Sequence, residues 1–192
     1  MAVSTDIFSD YEIRSMGIKL EGAEAYKSAD CTGSVEEEME TRQTTKSCRG
    51  VVVKRVVKGT GNGTLTITAH MPYDIFVGMF GMIAEELVDG VYAYGRNSRH
   101  PKMSIVMDTY DEDDVQKFRA YPNCVMNTGV VRSVENGAEE VAQLELEVGV
   151  MPDEYGFGLY ECKVSDIGED TKQLKTKWMN AFEPSLVQVP TA

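Results

Sequence analysis

Residues 64–71, TLTITAHM, alternate polar and apolar side chains without a break. Only an extended strand places Leu65, Ile67, Ala69 and Met71 on one face and Thr64, Thr66, Thr68 and His70 on the other. The chain must therefore hold a sheet with one buried side. Upstream, residues 51–57 are β-branched apart from Lys54 and Arg55, and the intervening KGTGNG supplies glycines and Asn62 for a tight reversal. Residues 51–71 thus predict a β-hairpin. Residues 141–150 repeat the pattern, with Ala142, Leu144, Leu146, Val148 and Val150 opposed to Gln143, Glu145 and Glu147. Further strands are predicted over 11–20, 102–110 and 157–164, with a short one over 91–94. A strand over 119–126 belongs at an edge or a bend, because Pro122 lacks an N–H for the ladder.

A change of period follows Pro72. Ile75, Phe76, Met79, Phe80 and Ile83 recur at helical spacing, with Asp74 in the first turn where it complements the helix dipole. Gly78 and Gly81 weaken this helix but let it lie close to a sheet. A second helix is predicted over 171–181, with Leu174 and Trp178 on one face. The fold class is mainly β, a β-sandwich or barrel with one packed α-helix, in a single domain of 192 residues. Residues 21–50 read as a long polar loop with Tyr26, Val35 and Met39 as its apolar landmarks. Residues 1–17 and 179–192 read as terminal arms.

The formal charge is −12, from 19 basic and 31 acidic residues, which argues against a protein that grips nucleic acid through phosphate contacts. No run of about 18 apolar residues predicts a membrane span, and the first residues carry no secretory pattern, so synthesis and folding in the cytoplasm are expected. Cys31, Cys48, Cys124 and Cys162 are widely spaced and read as reduced thiols. The acidic stretch from Asp108 to Asp114 fails as a calcium loop, since its twelfth position is Arg119 where a glutamate is required. GTGNGT lacks the lysine and hydroxyl residue of a phosphate loop. The only histidines, His70 and His100, belong to no catalytic motif, so no enzyme and no cofactor are expected. One compact basic patch, Arg96, Arg99 and Lys102, reads either as a solvated loop or as a contact, in which case carboxylates of another subunit suit it better than phosphate.

The hairpin and helix VVVKRVVKGTGNGTLTITAHMPYDIFVGMFGM, the following GVYAYG, and the late strands AQLELEVGV and FGLYE together resemble the major tail proteins, or tail tube proteins, of long-tailed bacteriophages. The resemblance is to the phi13-type major tail family in particular, over residues 18–164. It implies a structural subunit that self-assembles into hexameric rings, stacked as a tube through which the genome passes without specific binding. Its partners would be itself and other tail proteins, and its place the virion tail after assembly in the host cytoplasm. The long loop and both termini would then reach neighbouring subunits or rings. Glu145 and Glu147 become candidates for the lumen, with a plain solvent face as the alternative. Arg96, Arg99, Lys102, Val35 and Met39 become candidates for contacts between subunits. The competing expectations are a carbohydrate-binding or adhesin-like module using Tyr92 and Tyr94, and an enzyme with His70 or His100 beside a carboxylate or Cys124.

Overall fold

The computed structural model describes residues 9–168 and 171–189. Eight strands form one antiparallel sheet: β1 (Glu12–Leu20), β2 (Lys27–Ser28), β3 (Thr32–Cys48), β4 (Val51–Ala69), β5 (Met103–Tyr110), β6 (Gln116–Met126), β7 (Leu144–Val150) and β8 (Tyr160–Lys163). Their spatial order is β2-β1-β5-β6-β7-β4-β3, with β8 paired to β6. The mainly β expectation holds, and the sheet stays open rather than closing into a barrel.

Helix α1 (Tyr73–Met79) supplies the plug for the main core. Its Ile75, Phe76 and Met79 pack with Met16 and Ile18 of β1, Leu65 and Ile67 of β4, and Leu146 and Val148 of β7. Strands distant in the sheet therefore meet around one helix, which requires the sheet to wrap. The predicted faces of β4 and β7 are the observed ones, with Leu65, Ile67, Ala69, Leu146 and Val148 almost fully buried. Gly78 lies against β1, where an added Cβ would stand 2.3 Å from Leu20 Cδ1. The helix ends before Ile83, because Gly81 takes a φ of 55° that continues no right-handed turn.

The other side of β5 and β6 is covered by α2 (Gln173–Ala181). Trp178 stacks on Phe118 with ring centroids 5.6 Å apart, and its Nε1 donates to the Arg119 carbonyl at 3.1 Å. Phe182 closes this second cluster against Trp178 and Tyr160. Buried on both faces, β5 reads as a nearly continuous buried run.

Three expectations change. The reversal of the long hairpin is not at KGTGNG but at Arg49 and Gly50, whose φ values of 51° and 81° make a two-residue turn of the kind that suits hairpins. The glycines run through β4 as an irregular bulge opposite Glu40. There Gly61 passes so near the 152–158 loop that a Cβ on Gly158 would lie 2.0 Å from its carbonyl oxygen. Residues 21–50 are accordingly no long loop, since β2 and the 17-residue β3 occupy most of them. Strand β6 is central, and Pro122 marks the bend expected of it rather than an edge. Pro122 falls between the part that pairs β8 and the part that pairs β7, at a register shift against β5, where a missing N–H costs no ladder bond. Residues 91–94 form no strand, only a bridge between Ile83 and Ala93.

The terminal arms also differ where they can be seen. Residues 12–17 belong to β1, and 179–189 lie on the chain's own body through Phe182, Val187 and the Lys19–Glu183 ion pair. Residues 1–8 and 190–192 of the expected arms lie outside the described residues.

Candidate interaction surfaces

Strands β3 and β4 continue together well past the body of the sheet. Strand β7 pairs β4 only from Gly63 to Ala69, so residues 41–59 form a two-stranded ribbon with both long edges unpaired. Every side chain in it is exposed except the half-buried Val56. A nine-residue projection is roughly 30 Å long at strand rise. The bulge opposite Glu40 marks where it leaves the body and re-aims it. Its root is held by the Tyr121 hydroxyl of β6, which donates to Glu37 of β3. Burial, then the adjacent Glu37 carboxylate, push that phenol well above its ordinary range.

The ribbon's composition is one-sided. It holds Arg42, Lys46, Arg49, Lys54, Arg55 and Lys58, and none of the chain's 31 acidic residues. None of these six cations makes an ion pair among the described residues. The register sets Arg42 opposite Lys58 and Lys46 opposite Lys54, on one face with Thr44 and Val56 between. Like charges directly opposite on a ladder are unfavourable, and a two-stranded ribbon is only marginally stable by itself. Val51, Val52, Val53 and Val57 are each more than half exposed beside the cations.

The outer face of the sheet is the acidic counterpart. Glu36, Thr66 and Glu147 form one row across β3, β4 and β7, and Ser34, Thr68 and Glu145 form the next. Glu38 stands opposite Thr64. Both candidate lumen residues, Glu145 and Glu147, are exposed on this face, and Asn127 Nδ2 donates to Glu147 at 3.4 Å. The sequence reading found these two but missed Glu36 and Glu38, because β3 carries no apolar alternation to reveal its faces.

Beyond Glu147, residues 127–143 cross the surface with neither helix nor strand. Connections of this length without secondary structure are uncommon inside compact domains. With the ends of β4 and β7 they enclose a groove of about 890 Å³ lined by Thr68, His70, Glu135, Glu140, Val141 and Glu145. A second cleft, about 590 Å³, runs between Lys19, Lys102, Asp153 and Glu183. Three of these four charges, Lys19, Asp153 and Glu183, are engaged within the chain. Lys19 pairs with Glu183, and Asp153 accepts the Tyr155 and Phe157 N–H groups at 2.9 and 3.0 Å and the Tyr160 hydroxyl at 2.7 Å.

The remaining candidates separate. Arg96, Arg99 and Lys102 are exposed and form no ion pair among the described residues. Val35 and Met39 are half-buried against the main core, where they anchor the ribbon's root. Tyr94 does not offer a free stacking face. It lies on His100 with the planes 28° apart, and its hydroxyl meets His100 Nε2 at 3.0 Å. Tyr92 packs edge-on with Tyr73. His100 Nδ1 is bonded to the Met126 carbonyl at 3.0 Å. In the acidic turn, Asp111 accepts the N–H groups of Asp113 and Val115, and Asp114 pairs with Arg14. Cys124 is buried, which pushes its thiol up to about 12.

No protein-family model and no curated protein matches this chain. Among solved structures, one similar chain comes from the cryo-EM structure of the anti-feeding prophage baseplate, six-fold symmetrised. It shares 12% identity over 84% of this chain and 99% of that one, with a TM-score of 0.46. Another comes from the anti-feeding prophage tube-terminating cap, at 12% identity over 85% of this chain and 100% of that one, with a TM-score of 0.43.

Proposed function

We propose that this chain is a structural subunit of a phage-tail-type particle, one that self-associates into rings and stacks them into a tube. The observation that carries the reading is the ribbon of residues 41–59. It protrudes without a core of its own, sets like charges opposite each other, and leaves two ladder edges open. Exposed edges of this length are a liability that soluble monomers guard against, so the ribbon makes physical sense as an element completed by another subunit. The role is one of architecture rather than catalysis.

The glutamate rows on the outer face fit the same reading. Carboxylates facing a passing duplex repel phosphate and leave it free to move, whereas lysines would hold it. We assign Glu147, with Glu36, to the lumen of the tube; Glu145, one row further along the same face, lies where that face meets the groove. Arg96, Arg99 and Lys102 are assigned to contacts within a ring, where their unpaired charges meet a neighbour's acids. The resemblance noted in the sequence suggests six subunits per ring.

The test is assembly itself. Purified protein examined by light scattering and negative-stain electron microscopy across a concentration series should form rings or tubes. A variant in which 41–59 is replaced by an Asn-Gly turn should still unfold in one cooperative transition yet remain monomeric. A wild-type chain that stays monomeric throughout would overturn the reading.

A further inference from the structure

The ribbon and the groove lie at opposite ends of one strand. The ribbon tip is the start of β4 at Val51, and the groove is built on its end at Thr68 and on His70 just beyond. Along β3, which passes the bulge without its extra residues, fourteen steps from Cys48 opposite Val51 to Ser34 opposite Thr68 span roughly 45 Å, so a chain cannot fold its ribbon into its own groove.

The two surfaces match in chemistry. The ribbon alternates cations with exposed valines, and the groove sets Glu135, Glu140 and Glu145 around Val141, which is 81% exposed. Val134, 90% exposed, adjoins Glu135. Carboxylates answer the two cross-strand cation pairs, and the valines find aliphatic surface. A polyphosphate partner would answer the charges but gain nothing from Val51, Val52 and Val53.

We propose that the ribbon of one copy seats in the groove of a second copy, joining the chains head to tail along β4. The inference rests on the self-assembly reading and adds to it the identity of both halves of the junction. Because the two halves are different patches of the molecule, the contact is heterologous. Such contacts do not close after two copies, and they generate rings or extended stacks.

The experiment uses two charge-reversed chains, Lys46→Glu/Lys54→Glu in the ribbon and Glu135→Lys/Glu140→Lys in the groove, in sedimentation and light scattering. Each alone should associate roughly 100-fold more weakly than wild type. Mixed together, the first's intact groove meets the second's intact ribbon and the two reversed surfaces meet each other, so alternating assemblies should grow where neither variant assembles alone. All four substitutions in one chain should restore longer assemblies. If either variant assembles as wild type does, the junction lies elsewhere and only this inference falls. If wild type itself never associates, the structural reading falls with it. A gel shift of duplex DNA at physiological salt that is lost in the ribbon variant would reassign the ribbon to phosphate and overturn the inference.

Discussion

Gly81 turns beneath Arg99 so closely that a Cβ on the glycine would stand 1.9 Å from the Arg99 carbonyl oxygen. Its φ of 55° already disfavours any L side chain. This contact ends α1 and pins the segment that presents Arg96, Arg99 and Lys102. Gly81→Ala should therefore cost at least about 2 kcal/mol in urea unfolding. Gly95, with open space around it, is the control, and Gly95→Ala should shift stability by less than about 0.5 kcal/mol. Equal effects at the two sites would show that the Gly81 contact is not a constraint.

Ile67 is fully buried, opposite Val35 on one side and Leu146 on the other. Ile67→Ala should cost roughly 2–5 kcal/mol through lost contacts and a cavity. Ile67→Asp should yield no soluble folded protein, since an unpaired buried charge has nothing to offset its desolvation. Thr66→Ala, on the outer face, should stay within about 1 kcal/mol of wild type. Soluble, cooperative unfolding of the aspartate variant would mean that the faces of β4 are reversed.

Asp108 is buried with one carboxylate oxygen unpartnered among the described residues. The other accepts from the Gln116 amide at 3.1 Å and the Tyr110 hydroxyl at 3.4 Å. Burial raises this carboxyl above its ordinary value, outweighing the opposing hydrogen bonds. A raised acid binds its proton more tightly when folded, so its contribution favours folding at low pH and is lost as pH rises past the unfolded value near 4. Asp108→Asn should stabilise the chain at pH 7, by about 1 kcal/mol, with the gain vanishing below about pH 4. Thermal melts across pH decide this, and a variant less stable at pH 7 would sink it.

Asp30 titrates the other way. The Ser28 hydroxyl, the Met16 N–H and the Ser15 hydroxyl all donate to its carboxylate and hold it below its ordinary value. Its contribution is present above the unfolded value near 4 and is lost as pH falls through the folded one. Asp30→Asn should therefore destabilise at pH 7 and match wild type in strong acid. An unchanged pH profile would show that the three donors are satisfied without it.

The cysteines report on the ribbon. Cys31 and Cys48 are exposed, Cys48 beside the tip turn, while Cys124 is buried. Mass spectrometry after brief maleimide treatment should find Cys31 and Cys48 labelled and Cys124 untouched until denaturant is added. In assembled material Cys48 should become protected. Equal labelling of Cys48 in monomer and assembly would place the tip in solvent.

What could be read in the sequence was whatever has one face in the core. Leu65 to Ala69 and Leu144 to Val150 alternate because one side of each strand is buried, and Ile75 to Met79 recur because one helix plugs the sheet. Strand β3 escaped for the same reason. With nearly all its side chains exposed, no period-two signal exists to detect. KGTGNG misled because glycine serves close backbone approach as well as reversal, and here the neighbour was a loop about 95 residues away in sequence. The glutamate face was half legible, since Glu36 and Glu38 become neighbours of Glu147 only through pairing across β4. One signal lay open to simple counting: nineteen residues with six cations and no acid, in a chain of net charge −12.

The continuity of β4 from the ribbon tip to the groove has a mechanical consequence. In a head-to-tail stack, tension entering one subunit at Val51 leaves it near Thr68 along a single covalent strand. Its ladder bonds to β3 and β7 run across that line. A pull along the stack therefore loads many hydrogen bonds at once in shear, instead of opening them one by one from an end. Each subunit would act as an inextensible link, and the repeat distance of the stack would be set by the length of one strand.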